Sequence, residues 1–182
     1  VRYHFGYGLS YTTFEYTNLR VDKENITDND VIKVEVDITN TGNMEGKEVI
    51  QLYIKDNTGA SGRPEKELKD FIKVSLKPGK STTVEFKVSK ESLVWYNTKI
   101  NNWYAASGNY NILICRSSQQ IELSKSTIFT TEDKLPFVID ENTTVILNHF
   151  SHNGLNSNYD DFEPIAAEKG FVTSFDGMEV NI

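Results

Sequence analysis

VIKVEVDITNTGNMEGKEVIQLYIKD, residues 31–56, decides the architecture. Ile32, Val34, Val36 and Ile38 alternate with Lys33, Glu35, Asp37 and Thr39. That is the period of two expected of a half-buried β-strand. The turn cluster NTGNMEG follows, then a second run in which Ile50, Leu52 and Ile54 oppose Val49, Gln51 and Tyr53. Two strands joined by a short polar turn make the first unit of an antiparallel sheet.

The same signals continue outward. DFIKVSL (70–76) leads into Lys77-Pro78-Gly79-Lys80, where proline at the second position and glycine at the third predict a type II turn. STTVEFKVS (81–89) sets Thr82, Val84, Phe86 and Val88 on one side. SLVWYN and NWYAASG read as a hairpin, and NYNILICR (109–116) with IELSKSTIFT (121–130) completes the set. About seven strands between Phe14 and Thr130, with turn signals every 8 to 12 residues, predict an all-β, Ig-like sandwich. The disulfide and core tryptophan of antibody domains are missing, so the fibronectin type III-like branch fits better. After Thr130 the chain turns polar and rich in asparagine. A short helix over Glu163–Lys169 is the only regular element expected there, with Pro164 in its first turn and Gly170 as its stop.

Composition narrows the function. The 182 residues are 38% hydrophobic and 12% aromatic, enough for a core. Nineteen basic against 26 acidic residues give a net charge of -7, which disfavours nucleic acid as a partner. The longest apolar runs, such as NILIC (111–115), are too short to cross a bilayer. Cys115 lies in an apolar strand, as a buried thiol would, and a single cysteine suits a reducing or an oxidising compartment alike. The chain opens without a charged-then-apolar leader and reads as a cut from a longer protein.

The start, HFGYGLSYTTF (4–14), is unlike a frayed terminus. Tyr3, Phe5, Tyr7, Leu9 and Tyr11 alternate with small or polar residues, and Gly6 and Gly8 permit a close backbone crossing. Ordering such a segment costs entropy that only burial offsets, so it is built to lie against something.

FGYGLSYTTFEYTNL, ITNTGNMEGKEVIQLYIKD, RPEKELKDFIKVSLKPGKSTTVEFKV and ASGNYNILICRSS follow in one order. Over about residues 5 to 125 the chain closely resembles the C-terminal fibronectin type III-like domain of glycoside hydrolase family 3, the β-glucosidase family. The resemblance implies that residues 1–13 are an interdomain seam, 14–130 the sandwich, and 131–182 an extension for which the family predicts nothing. It implies catalytic domains of the same parent enzyme as partners. The family's nucleophilic aspartate and its acid/base residue belong to those other domains, so no catalytic residue is expected in this segment. His4 stands where the family often has proline.

Other chemistry reads weakly. Glycoside hydrolysis needs two facing carboxyl groups, and the dense carboxylates Asp160, Asp161 and Glu163 fit a solvated helix cap better. GLSYT around Ser10 has Thr12 where a nucleophile elbow needs glycine. His149 and His152 would share a metal only on a helix. Asn156, Asn158 and Asp160 imitate a calcium loop without its turn glycine or closing glutamate. No metal or cofactor site follows.

The loop Asp56–Glu67 is the element long enough to face a neighbouring active site, with Arg63, its sole arginine, and Glu65 as candidate contacts. Trp95, Tyr96, Trp103 and Tyr104 carry rings of the kind that stack on sugars, although half of them must face inward in a sandwich hairpin. The expected function is a non-catalytic bracing domain of a β-glucosidase-like parent. The alternative is a free-standing carbohydrate-binding or adhesion module that takes an oligosaccharide on that hairpin.

Overall fold

The computed structural model describes residues 2–133, apart from 61 and 99, together with 173–175 and 178–180. The chain divides into two units, Val1–Leu135 and Pro136–Ile182. Seven strands of eight to eleven residues build the first unit: β1 (Phe14–Val21), β3 (Val31–Asn40), β4 (Gly46–Asp56), β5 (Glu67–Leu76), β6 (Ser81–Ser89), β9 (Gly108–Cys115) and β10 (Ile121–Thr130). Three short ones, β2 (Asn25–Thr27), β7 (Trp95–Asn97) and β8 (Asn102–Tyr104), complete it. In the second unit β11 (Thr173–Phe175) pairs antiparallel with β12 (Met178–Val180). The proposed helix at 163–169, the carboxylates Asp160, Asp161 and Glu163, His149, His152 and the Asn156 loop lie outside the described residues.

Two sheets stack, as the alternation predicted. One runs β1-β3-β6 and the other β2-β10-β9-β4-β5. Ile32, Val34, Val36 and Ile38 of β3 are wholly buried with Val84, Phe86 and Val88 of β6. Facing them are Ile50, Leu52 and Ile54 of β4, Ile112 and Ile114 of β9, and Phe129 of β10, whose ring meets Tyr110 edge-on at 6.2 Å. Each such side chain contributes roughly 1.5–3 kcal/mol by burial, which makes the inner faces the main source of stability. Gly79 takes φ +67° and Lys80 N donates to Lys77 O at 3.1 Å, the type II turn expected there.

Two elements were not legible. Ser92 and Leu93 read as strand, yet residues Lys90–Leu93 form one helical turn, α1. Ser89 N donates to Ser92 Oγ at 3.5 Å, and Leu93 is buried, so local capping and one core contact outweigh the strand pattern. Strand β2 is too short to show a period. It pairs parallel with β10 and puts Ile26 into the core.

The outward faces of the sheets differ. On β1-β3-β6 they are ionic: Arg20 pairs with Asp37 at 2.9 Å and Lys33 with Glu85 at 2.9 Å. On β4 and β9 they are apolar, where Tyr53, Leu113 and Cys115 form a second buried cluster with Leu68 against it. Burial pushes the Cys115 thiol up to about 11, the inert state read from the sequence.

Several carboxyls titrate low. Hydrogen bonds from Lys90 and Thr131 hold Asp28 down to about 2, and those from Arg20, Thr83 and Asn18 hold Asp37 below the usual range. A depressed folded-state pKa favours the fold above the unfolded value and loses that support as pH falls through the folded one. Urea midpoints should therefore stay level from pH 7 to about 5 and drop from about 4 downward. Asp28→Asn should soften that drop, which denaturation curves across the range will measure.

Candidate functional site

Two exposed aromatic features stand out, the opening strap and the β7–β8 hairpin. The strap is held to the sandwich at both ends. At the first, Tyr7 N donates to His4 O at 3.0 Å, closing a tight turn with Gly6 at φ +78°. This third position of a type II turn favours glycine, and a Cβ on Gly6 would press on the Gln51 amide, which would have to shift. His4 Nε2 lies 2.7 Å from Ser117 Oγ, and Ser118 N donates to Phe5 O at 2.9 Å.

At the second end Thr12 is buried, and its hydroxyl donates to Asn40 Oδ1 at 2.7 Å. Thr41 N donates to Thr13 O at 2.9 Å. Asn40 is itself wholly buried. Its amide donates to Met44 O and Leu76 O, both at 2.8 Å, and its oxygen accepts from Gly42 N at 3.0 Å. Between these anchors the apolar side chains turn outward. Tyr3, Phe5, Tyr7, Leu9 and Tyr11 are 47 to 93% exposed.

The loop from Asp56 to Glu67 is organised by Arg63. Its guanidinium was expected to reach a carboxylate across an interface; it points inward instead and is 3% exposed. Nη1 donates to Asp56 Oδ2 and to Leu93 O, both at 2.9 Å, while Nε and Nη2 donate to Glu67 Oε1 at 3.0 and 2.8 Å. The Trp95 ring lies 4.9 Å beneath the cation. With four of its five N–H groups engaged internally, Arg63 is a clasp between β4, β5, α1 and β7. Burial pulls the Glu67 carboxyl up, and hydrogen bonds from Lys69 and Arg63 more than reverse it, so it titrates below its ordinary range. Glu65 stays exposed, 3.3 Å from Lys55.

The hairpin sorts its four rings by face. Trp95 stands opposite Tyr104 at 5.4 Å, and Tyr96 opposite Trp103 at 5.7 Å, each pair tilted by 75°. The first pair packs towards Arg63. The second is open, with Trp103 63% and Tyr96 48% exposed. Of the residues expected to stack on sugar, Trp95 and Tyr104 are thus turned to the clasp, and Trp103 is the one with a free ring.

Glu48 is buried and its carboxyl is pushed up by burial, but it accepts the Tyr16 hydroxyl at 2.8 Å and lies 3.3 Å from Arg116. Arg116 in turn reaches Glu122 at 3.2 Å. The described residues contain no group of three His, Cys, Asp or Glu side chains placed to hold a metal. No described helix is long and apolar enough to cross a membrane.

Residues 48–118 match the family model of the fibronectin type III-like domain, and the sandwich around them is a domain of that class. Sequence comparison places it more narrowly. Residues of this chain are 51% identical over 122 positions to thermostable β-glucosidase B of Acetivibrio thermocellus, covering 67% of this chain and 16% of that protein. They are 47% identical over 116 positions to a putative β-xylosidase of Formosa agariphila, covering 64% and 15%. The crystal structure of the Bifidobacterium adolescentis GH3 β-glucosidase matches 79% of this chain and 21% of its own, with TM-score 0.69 and 31% identity. The sandwich is therefore a fibronectin type III-like domain of the kind found in family 3 glycoside hydrolases, and the chain spans about a sixth of the length of the curated relatives it matches.

If Arg63 is the clasp, Arg63→Met should destabilise the domain by about 3–5 kcal/mol, because Asp56 is left buried without its cation. Arg63→Lys should recover only part of this, since a point charge cannot reproduce the fork. Urea unfolding followed by Trp95 fluorescence will test both. A loss below about 1 kcal/mol for Arg63→Met would remove the clasp from the account.

Proposed function

We propose that this domain is a non-catalytic brace within a family 3 glycoside hydrolase of the β-glucosidase kind, holding the catalytic domains of the same parent enzyme through its strap. The observation that carries the reading is the strap itself. Its backbone is hydrogen-bonded to the sandwich at both ends, while five large apolar side chains face away from it. A surface of that kind is made for a partner rather than for water. Glycosidase chemistry asks for an acid and a nucleophile or base across a bound sugar, and the buried carboxylates Glu48 and Asp56, with the half-buried Glu67, are instead engaged as ion-pair and hydrogen-bond partners within the fold. The similarity to much longer β-glucosidases and β-xylosidases supports a role served inside a larger chain.

The pure 182-residue chain should then release no product from aryl β-glucosides or β-xylosides, even at high protein concentration. Turnover lost on changing Asp160, Asp161 or Glu163 would overturn the non-catalytic reading.

One observation favours a second reading, an oligosaccharide contact. The open Trp103–Tyr96 pair is next along the hairpin to the facing Asn97 and Asn102, and aromatic faces with neutral hydrogen-bonding groups suit a sugar. Adding β-linked gluco-oligosaccharides should then shift the tryptophan emission of the chain, and Trp103→Ala should abolish the shift. An unchanged spectrum at millimolar sugar would leave the brace as the sole role.

A further inference from the structure

The strap does not carry its apolar surface alone. Strand pairing places Phe71 of β5 opposite Gln51 of β4, Gln51 opposite Cys115 of β9, and Cys115 opposite Ile121 of β10. Residues opposite one another in a sheet point the same way. The four therefore form one row across the outward face of the larger sheet. Its middle is closed: Cys115 and Gln51 are buried, and the strap turn at Gly6 sits on the Gln51 amide. Its ends are open, Phe71 at 62% and Ile121 at 48% exposure. The rings of Tyr3 and Tyr7, 5.1 Å apart, flank that same turn. The other outward face of the sandwich carries Arg20, Lys33, Glu35, Asp37 and Glu85 as ion pairs and offers no comparable apolar row.

From this we infer that the docking surface is the strap together with the ends of this row, Phe71 on one side and Ile121 on the other. The middle of the outer face of the five-stranded sheet, along this row, then lies against an apolar surface of an adjoining domain of the same polypeptide. This rests on the bracing role proposed above and goes beyond it by naming the face and its outlying contacts. The occupant follows from two observations. The strap, through which that domain would be joined, is already seated at the centre of the row. The relatives' chains are about six times the length matched here, so in them the covering surface is available in cis. Gln51 is the linking residue. Its amide supports Gly6, donates to Arg116 O at 3.1 Å and accepts from Tyr53 Oη at 2.9 Å, which holds turn and row in one rigid plane.

The test compares the full parent protein with the 182-residue chain. Hydroxyl-radical footprinting should oxidise Phe71 and Ile121 readily in the chain and at least about tenfold more slowly in the parent, a protection ratio matching roughly 1.4 kcal/mol. Phe71→Asp and Ile121→Asp should speed proteolytic cleavage at the strap of the parent, as should Tyr11→Asp, while Lys87→Asp on the ionic face should not. Equal labelling of Phe71 and Ile121 in both proteins, with only the strap protected, would overturn the row and leave the bracing role intact. No protection of strap or row would sink both. Protection in the chain alone, growing with its concentration and lost on dilution, would assign the row to a second copy and overturn the proposal.

Discussion

Asn40 is the point at which the parts of this domain meet. Its backbone N donates to Lys80 O and its carbonyl accepts from Gly79 N, both at 2.9 Å, which ties β3 to the turn before β6. Its side chain donates to Met44 and Leu76 and accepts from Thr12 and Gly42. One wholly buried amide thus joins strap, both sheets and the β3–β4 turn with every polar group satisfied. An unpaired buried amide would cost several kcal/mol, whereas a complete set of partners admits one arrangement only. The apolar faces supply the stability, and this residue specifies how the sheets and the strap meet at one end of the sandwich.

Arg63 does comparable work further along. Taking a guanidinium and two carboxylates out of water is expensive, and a buried ion pair is weak evidence of added stability. Its value lies in direction. The fork reaches Asp56 on β4, Glu67 on β5 and Leu93 O at the end of α1, and its flat face covers Trp95. A long loop and a hairpin of two three-residue strands, neither able to hold a fixed position alone, are thereby set against the rigid sheet. The exposed Trp103–Tyr96 pair inherits that rigidity because it lies on the reverse of the clasped hairpin.

The two faces of the sandwich divide the tasks. Ion pairs across β1, β3 and β6 keep one face compatible with water, and each contributes little. The other face is built in tiers: a buried cluster of Tyr53, Leu113 and Cys115, a strap turn resting on Gln51, and an outer ring of exposed aromatic and aliphatic side chains. Such asymmetry leaves the sandwich with one charged side and one side that carries an apolar row.

Alternation in the sequence determined the seven long strands, their inward residues and the glycine turn at 77–80, because a period of two allows one burial pattern once a face is apolar. It also marked Tyr3 to Tyr11 as a segment in need of cover. It did not distinguish Asn40 from an ordinary turn residue, since a buried amide and a solvated one are spelled alike and differ only in the partners brought from residues 12, 44 and 76. For the same reason Arg63, which read as a hand held out to a neighbour, proved to be turned inward: the chain had to fold before Asp56, Glu67 and Leu93 O converged on it. The hairpin rings were legible as a group, but their sorting into a clasped pair and an open pair depended on register. The tertiary structure alone decided these points, because a polar or aromatic side chain takes its role from groups distant in sequence, whereas a strand's apolar face is written in its own neighbours.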